Sequence, residues 1–287
     1  MKRLILAGAL LLAMLIPASA SAALEGEYAR FKTCPVSNPE INACIHAESS
    51  SGTFTMGAKT VPLKNPVILK GGVHSDNGGA DGNLTFFAPT DGVVLSKTPQ
   101  PVPGGLTGVV APSWWPQFLR DFFNETINNG FTGVTATVEL AGPASSVHLS
   151  INNMFFQTGT ALGMPVKVKL SNPFLGSSCY IGSNSNPIQL NLTTGTTSPP
   201  PPNTPITGSP GFPEGIDFGN IVALKGNRLV DNSFATPGAN GCGGLFSFLV
   251  DPFVNSIVGV PSPAGTNTAI LEGTNRVGDA NAIRERL

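Results

Sequence analysis

The sequence predicts a mainly β protein: an antiparallel β-sandwich or irregular barrel with two short helices, built after a cleaved signal peptide. Three observations carry this. Several segments alternate apolar and polar residues with period two. Turn formers separate nearly all of them, with 34 Gly and 26 Pro in 287 residues. The four cysteines are an even set in a chain that opens with an export signal.

That signal comes first in the chain. Lys2 and Arg3 form a basic start, Leu4 to Ile16 is apolar or small, Pro17 breaks the run, and Ala18, Ser19, Ala20, Ser21 and Ala22 follow. The apolar run is too short to span a bilayer as a stable helix and has the form of a secretory leader. Cleavage is expected after Ala22, with Ala20 second. The reading is therefore residues 1–22 as signal peptide and 23–287 as one β-rich domain, secreted or held in the cell envelope. No transmembrane segment is expected in the mature chain. Losing the leader removes two basic residues and no acid, so the formal charge moves from −1 to −3. Only 11% of the chain is charged and no Lys/Arg cluster stands out, which argues against nucleic acid as a partner. The composition also excludes a collagen and a coiled coil.

Cys34, Cys44, Cys179 and Cys242 are read as two disulfides, with three connectivities open. Cys34–Cys44 with Cys179–Cys242 is preferred, because Pro35 and Pro39 already bend the first loop. Cys44-Ile45-His46 offers two metal-ligand types, but its spacing fits no closed zinc site, and neither metal nor cofactor is expected.

The clearest strands run over Val134–Leu140, Val147–Asn152, Val166–Leu170 and Ile188–Leu192, each with one apolar and one polar face. Gly142 and Pro143 lie between the first two, which predicts a hairpin. Weaker strands are expected at Thr53–Gly57, Val67–Lys70, Leu84–Ala88, Val93–Ser96, Ile221–Leu224 and Thr268–Glu272. One helix is expected from a Ser113 cap to about Asn129, with Trp114, Trp115, Phe118, Leu119, Phe122, Phe123 and Ile127 packed on the core. Membrane contact by this segment is the alternative; its polar face offers Arg120 as its one basic residue. A second helix is expected from an Asp251 cap, with Pro252 at its first position. The stretch 198–215, with Pro199 to Pro202 in a row, reads as an extended excursion from a single domain.

Motifs for chemistry are absent. There is no G-x-S-x-G, S-x-x-K, H-E-x-x-H or P-loop. The histidines are His46, His74 and His148, and none has a recognisable catalytic context. The loop Gly71–Asn83 groups His74, Asp76 and Asp81 among glycines. It is a candidate polar site, whose oxygen donors could hold a hard cation, but it lacks the EF-hand order and reads first as a polar connection. The 17 Phe against 2 Tyr and 2 Trp are more telling. Phe has no polar handle, so these rings are expected in the core or around an apolar cavity.

The segments Gly52–Gly72 (GTFTMGAKTVPLKNPVILKGG), Asp91–Gly105 (DGVVLSKTPQPVPGG) and Ser178–Gly195 resemble secreted proteins of high-GC Gram-positive bacteria that carry no assigned activity. The resemblance implies an exported protein and brings no catalytic residues. The leading expectation is a non-enzymatic envelope or extracellular protein that binds an apolar small molecule or an envelope component. A secreted hydrolase with a non-motif site and a structural or adhesive surface protein are the alternatives.

Overall fold

The computed structural model describes residues 24–75, 83–123, 125 and 131–287. The expected leader at 1–22 lies outside them. The protein is mainly antiparallel β sheet with few helices. Its strands in chain order are β1 (Ala43–Met56), β2 (Lys59–Pro62), β3 (Val67–His74), β4 (Asn83–Phe87) and β5 (Gln100–Pro101). Helix α1 (Gln117–Phe123) follows, then β6 (Thr135–Leu140), β7 (His148–Ser150), α2 (Ile151–Phe156) and β8 (Leu162–Ser171). Next come β9 (Tyr180–Ile181), β10 (Ile188–Leu192), β11 (Phe212–Ile216), β12 (Ile221–Asp231) and β13 (Ala239–Asn240). Helix α3 (Ser247–Val258), β14 (Thr268–Asp279) and α4 (Ala280–Arg284) complete the chain.

The pairing runs in a circle. β12 pairs with β14, β14 with β1, β1 with β3, β3 with β4, β4 with β7, β7 with β8 and β8 with β10. Just past β10, Thr193 and Val230 exchange two backbone hydrogen bonds of 2.9 Å, which returns the sheet to β12. Asp231 strengthens the join by accepting from the Asn191 N–H at 2.7 Å. The long strands take two partners along one edge: β1 carries β3 then β2, and β8 carries β7 then β6.

Two bulges keep apolar side chains inside this ring. β1 presents Ile45, Ala47 and Ser49 inward; a register shift at Ser49/Ser51 then flips the parity, so Phe54 and Met56 follow. β12 does the same at Lys225/Asn227, with Val222 and Leu224 before the shift and Leu229 after it. An extra residue reverses which face each later side chain meets. Gly273 stands where β14 meets the β1 bulge. A Cβ there would sit 1.8 Å from the Glu48 carbonyl oxygen, so no other residue fits.

Both preferred disulfides are present. Cys34–Cys44 ties the N-terminal segment to β1, where Tyr28, Phe31, Ile41, Ile221 and Ile283 form a second buried cluster. Cys179–Cys242 joins the start of β9 to the chain before α3. The Pro-rich stretch 198–215 ends in β11. Its run of four prolines is held back by Asn203, whose amide donates to the carbonyls of Asn232 and Asn267.

Several expectations need correction. There are four α-helices among the described residues, not two, besides 3-10 turns such as Gly26–Phe31. The expected strand Val147–Asn152 stops at Ser150, whose Oγ accepts from the Asn153 N–H and caps α2. Six residues of coincidental alternation hid a capped turn. β6 and β7 form no hairpin; both pair with β8 along one edge. Val93–Ser96 contributes one bridge, Leu69 to Leu95, rather than a strand. α3 starts four residues before the expected Asp251 cap and takes Pro252 into its interior. The Asp251 carboxylate instead accepts the N–H groups of Gly241 and Cys242. α1 is shorter than expected and buries none of its residues. The end of the expected helix, at 124 and 126–130, lies outside the described residues.

The aromatic expectation fails most widely. Eleven of the 17 phenylalanines are exposed, and Phe31, Phe54, Phe86 and Phe234 are buried. Of the three Phe pairs, Phe86–Phe87 is the one in a strand, with Phe86 inside and Phe87 against the second cluster. No described helix is long and apolar enough to cross a membrane.

Candidate functional site

The ring of strands encloses space. A narrow cavity of about 80 Å³ occupies its middle, walled by Phe54, Met56, Leu95, Val166, Val168 and Leu229 among others. A larger one of about 250 Å³ lies toward α2, walled by Ile45, Leu149, Met154, Phe155, Leu224 and Val277. Ala47, Leu69, Leu162 and Asn275 border both, so the two are neighbouring compartments of one apolar chamber.

Each wall has a local reason. β8 and β10 alternate cleanly, so Leu162, Met164 and Val166 point in while Lys167 and Lys169 point away. On β1, Ala47 is a small group bordering both compartments and Ser49 borders the narrow one. α2 closes that mouth with one and a half turns. Met154 points inward, and the Thr194 hydroxyl donates to the Met154 carbonyl at 2.6 Å. Gln157, in the left-handed region at φ 58°, ends the helix.

Few polar groups reach the chamber. Gln100 is fully engaged: its Oε1 accepts from the N–H groups of Lys64 and Asn65, and its Nε2 donates to the Asn65 carbonyl. Asn275 stands at the junction, with its Nδ2 3.9 Å from the Met154 sulfur. Arg276 also borders the larger compartment, but its guanidinium meets Glu27 at 2.8 Å and Glu48 at 3.9 Å on the outer face. The lining is thus almost wholly apolar, with its few polar groups already engaged or at the junction.

The outer face over β1 holds the densest charge. Arg30 pairs with Glu27 at 3.0 Å and Glu48 at 3.2 Å, beside Arg276. His46 is buried under this network and its Nδ1 has no hydrogen-bond partner. Burial pushes its imidazole below the usual value, and the neighbouring Arg30 adds to the effect. The neutral ring is a packed residue of the strand.

The candidate loop is only partly in view. His74 ends β3 and its Nδ1 lies 2.5 Å from the Glu40 carbonyl oxygen. Asp76 and Asp81 lie outside the described residues. His148 is exposed at the start of β7. Among the described residues, no group of three or more His, Cys, Asp or Glu is placed to hold a metal ion.

The sequence placed the phenylalanines in the core first and around an apolar cavity second, and neither holds for most of them. Of the 17, Phe54 and Phe155 border the chamber, and Leu, Val and Met supply most of the rest. Alternation in β8 and β10 was the clearest signal; of the β1 and β12 walls, which cross bulges, Thr53–Gly57 and Ile221–Leu224 were legible as weaker strands and the rest was not. Comparison with known protein families, with curated proteins and with solved structures finds no match for this chain.

Proposed function

We propose that this is an exported, non-enzymatic binding protein that holds an apolar small molecule inside an irregular barrel. The compartment of about 250 Å³ beneath α2 carries this reading. It exceeds the ~150 Å³ apolar cavity that suffices for benzene, and an aliphatic chain could extend past Asn275 into the narrower space. Export is supported by the leader-like start and by the two disulfides, which persist in oxidising compartments.

Native mass spectrometry of protein from its own host tests this first. A carried mass that disappears on denaturation is the expected result. Titration with the neutral dye N-phenyl-1-naphthylamine is the second arm, because its fluorescence rises in apolar surroundings. Ala47→Phe fills the space where both compartments meet and should weaken dye binding about tenfold, in line with the loss of one buried contact worth 1.4 kcal/mol. A bare native mass together with equal dye binding by the wild type and Ala47→Phe overturns the reading and favours a structural or adhesive role.

A further inference from the structure

We propose that Asn275 makes the chamber selective for a neutral aliphatic molecule whose polar group is a carbonyl set within the chain, as in an ester or a ketone. The inference rests on the chamber being a binding site and names what that site takes. Asn275 is nine-tenths buried and borders both compartments.

Its direction follows from the register. β14 turns Leu271, Asn275 and Val277 toward the chamber, so an amide interrupts an apolar row. Asn275 lies opposite Ala47 on β1 and Leu224 on β12. Residues opposite one another share a face of the sheet, and both neighbours line the larger compartment. Neither can hydrogen-bond through its side chain. Among the described residues the Asn275 amide has one side-chain hydrogen-bond contact, from Nδ2 to the Met154 sulfur at 3.9 Å. A thioether is a weak acceptor. A buried amide without an oxygen partner costs stability, so such groups call for something that completes them. An occupant with a carbonyl oxygen beside Nδ2 completes this one. Apolar space continues on both sides, about 250 Å³ toward α2 and about 80 Å³ toward the middle of the ring. The polar group therefore falls inside the ligand's chain rather than at its end.

Charge excludes the ionised relatives of such a molecule. The other polar residues of the lining are Ser49, Gln100 and Arg276. Gln100 is engaged by backbone groups of Lys64 and Asn65, and the Arg276 guanidinium turns away to Glu27. Ser49 is uncharged and borders the narrow compartment. A carboxylate would enter with no cation facing it, and burying an unpaired charge costs far more than burying a carbonyl.

Displacement of N-phenyl-1-naphthylamine by undecan-6-one, undecane and undecanoate at neutral pH tests this on the wild type and on Asn275→Leu. The substitution should weaken the ketone about tenfold relative to undecane, a ratio in which solubility cancels. Undecanoate should displace the dye poorly from both. The infrared carbonyl band of undecan-6-one bound to the wild type should lie below its position in hexane, and return to that position in Asn275→Leu. The band in the wild type decides the matter even if the variant fails to fold. Without ligand, Asn275→Leu should unfold at the same or a higher denaturant concentration, because it removes an amide that the protein itself leaves incomplete. A wild type that binds no dye overturns the chamber as a binding site, and this inference with it. Dye binding with an unshifted carbonyl band, an unchanged ketone-to-undecane ratio or undecanoate as effective as the ketone overturns this inference alone. So does a lower unfolding midpoint for Asn275→Leu, which would make the amide a structural group.

Discussion

The two mouths of the ring are closed by helices of different length, and the difference sets where the protein is solid and where it is hollow. α3 has twelve residues and lays Val254 and Val258 against Val102, Leu106, Val134 and Leu170, leaving a gap of only about 40 Å³. It is also clamped: Asn255 Oδ1 accepts from the Ala239 N–H, and Gly259, at φ 75°, packs so close to Ala58 that a Cβ would meet its nitrogen at 2.8 Å. α2 has six residues and sends Met154 into a space several times larger. A short helix shields backbone from water but fills little volume. The long one seals its mouth and leaves Phe248, Leu249 and Phe253 exposed on its outer side.

Three experiments test this contrast, from the largest expected effect to the smallest. The Cys179–Cys242 bridge braces the α3 mouth and spans 63 residues, against 10 for Cys34–Cys44 near the other. In the chain-entropy account their loss costs about 4 and about 3 kcal/mol respectively. Denaturant unfolding of Cys179→Ala/Cys242→Ala and Cys34→Ala/Cys44→Ala should rank them in that order. The reverse ranking would mean that the α2 mouth depends more on its brace.

A filling pair sharpens the packing difference. Val134→Phe enlarges a side chain at the sealed mouth and should cost about 1–3 kcal/mol, the usual penalty for overpacking. Ala47→Phe has a cavity to enter and should cost less than about 1 kcal/mol in the same unfolding experiment. Equal costs would show that the chamber closes in solution.

The smallest effect is in pH. The folded His46 holds its imidazole below the usual value of 6.5, mainly through burial. Below about pH 6.5 the unfolded chain takes up a proton that the folded chain refuses, so stability present above that pH falls as pH drops toward the lowered folded value. His46→Gln should flatten this part of a stability–pH curve. An unchanged slope would mean that the ring is solvated despite its position beneath Arg30 and Glu48.

Much of this architecture was legible in advance. Ile188–Leu192 matches β10 residue for residue, and Val166–Leu170 falls inside β8, because a strand with one wet and one buried face writes period two into its residues. The cysteine count and the short loop around Pro35 and Pro39 gave the disulfide pairing that the structure has. α2 stayed hidden because Val147, Leu149 and Ile151 continue the alternation past its cap at Ser150. The expectation for Phe failed for a different reason. Apolarity says that a ring gains from leaving water, but not whether the fold has room for it.

By itself, then, the sequence determined the β class, the turns and the covalent braces, since these depend on neighbours a few residues apart or on a count of thiols. Tertiary structure alone decided the parity flips in β1 and β12, the closure through Thr193 and Val230, and the hollow under α2. Each of these depends on which strand or helix lies opposite, and no local period carries that information.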